Sequence, residues 1–334
     1  MAVSRDLGWL AFDIGAKTHT WACDIGGIRE TGKVDNTPAE LRALLTSCLT
    51  RAKCLRVLVE ATGVYYLDVA MLAHELGAEV RVVNPRVAHH FAKALNQRNK
   101  TDKLDATMLL ECLKRMPFKS WEPPRQNWLQ LRDYGRFLVQ LTEAGVAARN
   151  RLHALSSKQA SPAFLRTELQ HMISSNDQRI ERVRAKAVAL IHADAYLKQR
   201  LQALVTIKGV AETSAVSLLS ELVVLPPTLS GRACVCHAGL DPRVFESGTS
   251  VHKAPRISRH GNKYLRRALF HPALSAATHD DGAKAFKQRL VGRGKKKMQA
   301  NVAIMRKMLT AAWAIMKNPK PYDTTLLYPD LETT

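Results

Sequence analysis

Acidic residues are scarce in this chain. Only 29 aspartates and glutamates face 50 lysines and arginines, leaving a formal charge of +21. So large a surplus is out of place on an enzyme of small metabolites and fits a polyanionic partner. Cysteine is sparse too. The six present (Cys23, Cys48, Cys54, Cys112, Cys234, Cys236) are too few for a disulfide framework, so a reducing, cytoplasmic compartment is expected. No apolar run approaches the roughly eighteen residues of a membrane span, and the first residues lack a signal-peptide core. Neither a secreted scaffold nor an integral membrane protein is expected, and no membrane partner.

What is present is an ordinary globular mixture, 46% hydrophobic and 24% charged, long enough for two or so domains. Short apolar runs open the chain. Leu7–Ile14 and Thr18–Ile25 read as strands, and Gly26-Gly27 turns into a third near Ile28–Val34. A helix over Pro38–Ala52 follows, then strand Leu55–Glu60, a helix around Val64–Leu76 and strand Glu79–Val83, stopped by Asn84-Pro85. Three strands, helix, strand, helix, strand is the order of an α/β RNase H-like sheet. Trp121-Glu-Pro-Pro124 breaks the pattern as a linker. From Gln126 to about Leu201 the signal is helical, with apolar seams at Leu129, Leu131, Phe137, Leu138, Leu141 and at Ile180, Val183, Ala187, Leu190. A helical hairpin or coiled-coil arm fits, as a spacer or for dimerisation. We therefore expect segments 1–122, 123–198 and 199–334.

Four carboxylates are placed for metal chemistry. Asp13 sits inside the first strand between apolar neighbours, where an unpaired carboxylate is costly. Glu60 closes the fourth strand, where it either serves a site or caps the next helix. Asp102 and Asp105, in Lys100-Thr-Asp-Lys-Leu-Asp-Ala106, open a helix and share one of its faces. Oxygen-only ligands suit Mg²⁺ or Mn²⁺, and paired ions can clamp both oxygens of a phosphodiester exchange. Lys17, Lys100 and Lys103 lie near these acids, to contact phosphate or to pair with them. Asp13-Ile-Gly-Ala-Lys-Thr18 is also similar to the first phosphate loop of actin-like sugar kinases, but the second phosphate loop and the adenosine loop of those enzymes are missing.

The third segment is mostly helical and strongly basic. Between Lys253 and Lys307 stand fifteen lysines or arginines against Asp280 and Asp281 alone, a candidate phosphate-binding surface. Leu204–Glu221 is similar to a helix-hairpin-helix, with Gly209 and Val210 in its turn but Ala211 where a second glycine belongs, so it either contacts DNA or only packs. Ser247-Gly248 lies in a turn-rich stretch followed by Arg256, Arg259, Lys263, Arg266 and Arg267. Composition alone makes Ser247 a turn residue, although clustered cations could stabilise charge developing on phosphorus. Cys234-Val-Cys-His237 lacks a second ligand pair for zinc and reads as packed thiols, and Gly292–Lys297 lacks the spacing of a P-loop.

Taken together, these residues resemble the bridge-RNA-guided insertion-sequence transposases, also described as DEDD transposases, nearly end to end. The likeness is carried by Asp13, Glu60-Ala-Thr-Gly63, Lys100–Ala106, and the block from Gly239 to Leu269 with its Ser247. It implies a RuvC-like N-terminal domain, a coiled-coil arm and a C-terminal transposase domain. It further implies Mg²⁺ held by Asp13, Glu60, Asp102 and Asp105, and a covalent link to DNA through Ser247, with Ser250 as the alternative nucleophile. A structured noncoding guide RNA, donor and target double-stranded DNA, a dimer or tetramer, and a prokaryotic, nucleoid-associated location follow from the same likeness. The competing readings are a RuvC-like junction nuclease that uses water, and a catalytically silent nucleic-acid-binding protein.

Overall fold

A computed structural model describes residues 7–63, 65–95, 101–247 and 251–329, without the side chains of 244–247 and 251–255. Lys100, Gly248 and Ser250 lie outside the described residues. The chain divides into two compact units, Met1–Pro123 and Pro124–Thr334.

The first unit is a five-stranded mixed sheet with helices on both faces. Strands β1 (Leu7–Asp13), β2 (Thr18–Ile25) and β3 (Ile28–Asp35) form an antiparallel meander, turned at Gly26 and Gly27, both at positive φ. After α1 (Pro38–Arg51), capped by Thr37, β4 (Cys54–Glu60) pairs parallel with β1. Helix α2 (Tyr66–Glu75) leads to β5 (Glu79–Val83), parallel to β4, giving the order β3-β2-β1-β4-β5. Helices α3 (Pro85–Ala94) and α4 (Asp102–Arg115) follow.

Alternation along β1 sorts the two faces. Leu10 and Phe12 pack with Leu41, Leu45 and Val69 under α1 and α2, whereas Ala11 packs with Leu58, Leu109, Leu110 and Leu113 under α4. Each fully buried leucine contributes about 2 kcal/mol. Small Ala11, Ala22 and Ala106, all at zero exposure, let α4 lie close to the sheet.

The second unit begins with α5 (Gln126–Ser156) and α6 (Ala163–Ala193), an antiparallel helical hairpin. Leu131, Leu138, Leu141 and Ala187 of the expected seam are buried, but Phe137 points outward at 46% exposure, and Gly135, Gly145 and Ala148 complete the buried face of α5. A Cβ at Gly145 would stand 2.9 Å from Asn176 Nδ2, which instead donates to the Leu141 carbonyl at 2.8 Å. The base of the hairpin enters the core of the following helices, since Leu131, Ala187 and Ile191 pack with them. These are α7 (Ala195–Leu204), α8 (Glu212–Leu222), α9 (Gly231–Ala238), α10 (Lys263–His279), α11 (Asp281–Gly292), α12 (Lys297–Lys317) and α13 (Thr324–Leu327).

Glu221 on α8, 2% exposed, ties the arm to this core. Arg136 of α5 donates to both its oxygens at 2.7 and 3.0 Å, and Asn262 donates to one of them. Between α9 and α10 stand two strands that were not expected in a turn-rich stretch. β6 (Pro242–Ser247) and β7 (Val251–Ile257) form an antiparallel ribbon, with an irregularity between Arg243 and Phe245.

Candidate catalytic site

The parallel register of β1 and β4 pairs Phe12 with Val59, so Asp13 and Glu60 end neighbouring strands one step further on. Alternation puts both on the face of Ala11 and Leu58, the face that α4 covers. Thr20 is the cross-strand neighbour of Asp13, and Lys33 that of Thr20, so a row Glu60, Asp13, Thr20, Lys33 runs across this end of the sheet. Lys33 Nζ stands 3.9 Å from Asp102 Oδ2, which brings the start of α4 to the same row. Thr101 caps that start by accepting from the Leu104 N–H, leaving Asp102 and Asp105 in the first turn, where the helix dipole favours carboxylates.

The other end of α4 is clamped. Lys114 Nζ lies 2.6 Å from Asp24 Oδ2 on β2 and 5.0 Å from the Trp9 ring centre, and Arg29 joins Asp24 to Glu111. Asp24 is 5% exposed, so the pair is a fixed point from which α4 carries its two aspartates over the sheet.

Among the described residues, no three His, Cys, Asp or Glu side chains stand close enough to hold a metal ion. The four acids thus share a face and an end without forming a closed ligand shell. The Thr62 hydroxyl donates to Glu60 Oε1 at 2.6 Å, and Asp102 faces Lys33. Glu60 does not cap α2, whose N-terminus has no side-chain cap. The donor set is carboxylate oxygen throughout, the chemistry a hard divalent cation takes.

Lys17 and Lys103 are both exposed. Lys33 and Thr62 are the contacts of the acids that sequence reasoning missed. Strand spacing alone places Lys33 on the correct face, but only the cross-strand register brings it to Asp102.

In the second unit, Ser247 is the last residue of β6 and pairs with Val251, so it ends a strand and is not a residue of an open turn. The expected phosphate contacts divide. Arg256, Arg259 and Lys263 are exposed. Arg266 is turned inward, donating to the carbonyls of Ala238 at 2.8 Å and Gly261 at 3.3 Å. Burial, and then the neighbouring Arg259, draw its guanidinium below the ordinary arginine range. Arg267 pairs with Glu143 of α5. Gly209, at φ +90, turns between α7 and α8 with α10 against it. A Cβ there would stand 2.5 Å from the Pro272 carbonyl, which gives the glycine a packing reason. Cys234 is buried and its thiol pushed up to about 12, whereas Cys236 is exposed and does not pack as expected.

A mixed sheet with acids closing two neighbouring strands, and a further acid pair opening the covering helix, is an arrangement suited to metal-assisted chemistry on phosphodiesters. A model of the IS110-type DEDD transposases matches residues 10–157, and one described as transposase of the IS116/IS110/IS902 family matches residues 201–288. The pilin gene-inverting protein of Moraxella bovis is 32% identical over 270 residues, covering 80% of this chain and 82% of that protein. Its counterpart in Moraxella lacunata is equally similar, and a probable family 20 transposase of Pseudomonas aeruginosa is 25% identical over 281 residues. The chain belongs to the IS110 family of transposases, enzymes that act on DNA. The DEDD domain of that family implies dependence on a divalent metal. Among the described residues, no helix is long and apolar enough to cross a membrane.

Proposed function

We propose that this chain is an RNA-guided DNA recombinase that exchanges strands through Asp13, Glu60, Asp102, Asp105 and Ser247. The observation that carries the reading is the register placing Asp13 beside Glu60 on the face covered by the Asp102–Asp105 turn. Asp13, Glu60, Asp102 and Asp105 would hold the divalent cation, which when bound would supply Lewis-acid polarisation of the scissile phosphate. The Ser247 hydroxyl attacks phosphorus, so that an Oγ–P bond forms and one bridging P–O bond breaks. The hydroxyl proton passes to solvent or a nearby base, and the released strand leaves as an alcohol. Attack by the hydroxyl of the exchanged strand on the phosphoserine reverses the step and restores Ser247. The ester conserves the phosphodiester bond energy, so rejoining needs no ATP.

The resemblance noted above supplies the guide RNA, and the +21 charge supports a large polyanionic assembly. If RNA pairing reads sequence, the protein needs only backbone contacts. Self-association is supported by the far end of the helical hairpin, where Phe164, Leu165 and Met172 are 71%, 44% and 51% exposed. Inversion, as in the names of the two Moraxella relatives, is one outcome of the same strand exchange.

The test is an inversion assay with the RNA encoded beside the gene. Ser247→Ala abolishes both recombination and the covalent protein–DNA adduct, while Ser250→Ala keeps both. Adduct formation by Ser247→Ala moves the nucleophile elsewhere. Cleavage without any adduct, lost in Asp13→Ala, establishes the water-using nuclease instead.

A further inference from the structure

At the base of the β6–β7 ribbon lies a pocket of about 580 Å³ that neither the acids nor Ser247 occupy. Its size is within the roughly 300–1,000 Å³ of small-ligand sites. The floor is apolar, built from Leu240, Ile257, Leu290 and Val302. The rim is cationic, with Arg256, Arg259, Lys295, Lys296 and Arg306, and no carboxylate lines it among the described residues. In a chain with 29 acids, five cations around one apolar hollow form a focused positive field.

The pocket is built, not accidental. Arg259 is the one described non-glycine residue at positive φ, +51, a conformation that costs about 1 kcal/mol or more outside glycine. The segment around it is strapped to the end of α9. Ser258 N–H donates to the Asp241 carbonyl, Arg259 N–H to Gly239, and Asn262 N–H to His237, at 2.9, 3.1 and 2.7 Å. A Cβ at Gly261 would collide with the His237 carbonyl, so the strap is drawn against that helix end. On the opposite wall, Gly294 at φ +79 turns α11 into α12, and Lys295 N–H donates to the Leu290 carbonyl at 3.0 Å. This turn presents Lys295 and Lys296 at the N-terminus of a 21-residue helix, whose dipole adds to the positive field.

We infer that this pocket takes one unpaired DNA nucleotide, its base on the apolar floor and its phosphates on the five cations. A bare phosphate site would not need an apolar floor, and an apolar ligand would not need the cations. Guanidinium planes supply stacking surfaces for a base where no aromatic residue lines the pocket. The assignment to DNA rests on the proposed role of Ser247. Pairs Pro242–Ile257 and Ser247–Val251 bound the ribbon, so the pocket lies about 17 Å from that serine at about 3.3 Å per residue. Strand exchange unpairs DNA near the exchanged linkage, and the pocket would hold the unpaired strand apart from its partner.

Fluorescence anisotropy of the intact chain with a short labelled DNA strand, its duplex and the matching RNA strand tests the inference. The single DNA strand is expected to bind tightest, with deoxyadenosine monophosphate competing and inorganic phosphate at the same concentration failing to compete. Ala303→Leu, which narrows the pocket without changing charge, weakens single-strand binding about tenfold and leaves the salt slope unchanged. Lys295→Ala and Arg306→Ala each lower the slope of log affinity against log salt by about 1. Should Ala303→Leu unfold, as read by its melting curve, the competition experiment and the two surface variants decide. Equal competition by phosphate, equal affinity for duplex, or a preference for RNA that Ala303→Leu removes overturns the inference. The pocket is read by strand binding and the serine by the covalent adduct, so failure of one is distinguishable from failure of the other.

Discussion

Asp13 and Glu60 end neighbouring parallel strands one residue beyond the Phe12–Val59 pair, on the face that α4 covers. Forty-odd residues of intervening chain are brought to one row by backbone register alone, before any side-chain partner is counted. Asp13→Asn and Glu60→Gln remove one charge each without changing shape. Each is expected to lower strand cleavage by about a hundredfold or more, the usual cost of deleting a group that stabilises charge in a transition state. Binding of the luminescent cation Tb³⁺ should weaken in both variants, with circular dichroism unchanged. Full activity in either would remove that carboxylate from the site.

Much of the first unit was legible because its signals are local. The short apolar runs of the strands and the Gly26-Gly27 turn each lie within a few residues of what they specify. What escaped depends on contacts distant in sequence. Phe137 looked like a seam residue because apolar counting does not register Gly135 and Gly145, which let helices approach closely. Arg266 looked like a phosphate ligand because nothing local reveals that the Ala238 carbonyl needs its guanidinium. The β6–β7 ribbon was obscured by the proline, glycine and serine content of its ends.

The clamp between Arg136 and Glu221 joins the hairpin arm to the helical core, and its carboxylate is almost fully buried. Glu221→Gln leaves Arg136 half-buried without its counter-charge and weakens the Asn262 contact. A loss of about 2–3 kcal/mol in unfolding free energy is expected, read as a lower midpoint in urea. Arg136→Met in the same background should recover part of the loss, because the stranded cation is then gone. No recovery would mean that packing, not charge, makes the contact.

His19 connects pH to the loop after Asp13. It is fully buried, and its Nδ1 accepts from the Gly15 N–H at 3.2 Å, so the ring is neutral with its proton on Nε2. Burial lowers its pKa below the ordinary 6.5, although Asn36 and Asp68 oppose the shift. Below 6.5 the unfolded chain takes up the proton before the folded chain does. The contribution of His19 to stability is therefore complete above that pH and falls away as pH drops through the lowered folded value. Melting curves should show a smaller loss on acidification for His19→Gln than for the native chain. Identical slopes would exclude His19 as the source.

The far end of the helical hairpin leaves a hollow lined by Leu155, Leu165, Leu169 and Met172, flanked by Phe164 at 71% exposure. These side chains lie well along the arm from the Leu131 and Ile191 core at its base, so they contribute little to the fold of the unit. Water contact with such a surface is costly by about 25 cal/mol per Å² of apolar area, and a second copy of the arm would relieve it. Phe164→Ser with Leu165→Glu is expected to shift the protein towards monomer in sedimentation velocity. The melting temperature should be unchanged at concentrations where the native chain is already monomeric. If the variant sediments as the native chain does, assembly uses another surface and the arm is a spacer. If both species are monomeric without RNA but only the native one assembles when RNA is added, the hairpin tip closes an oligomer that nucleic acid first brings together.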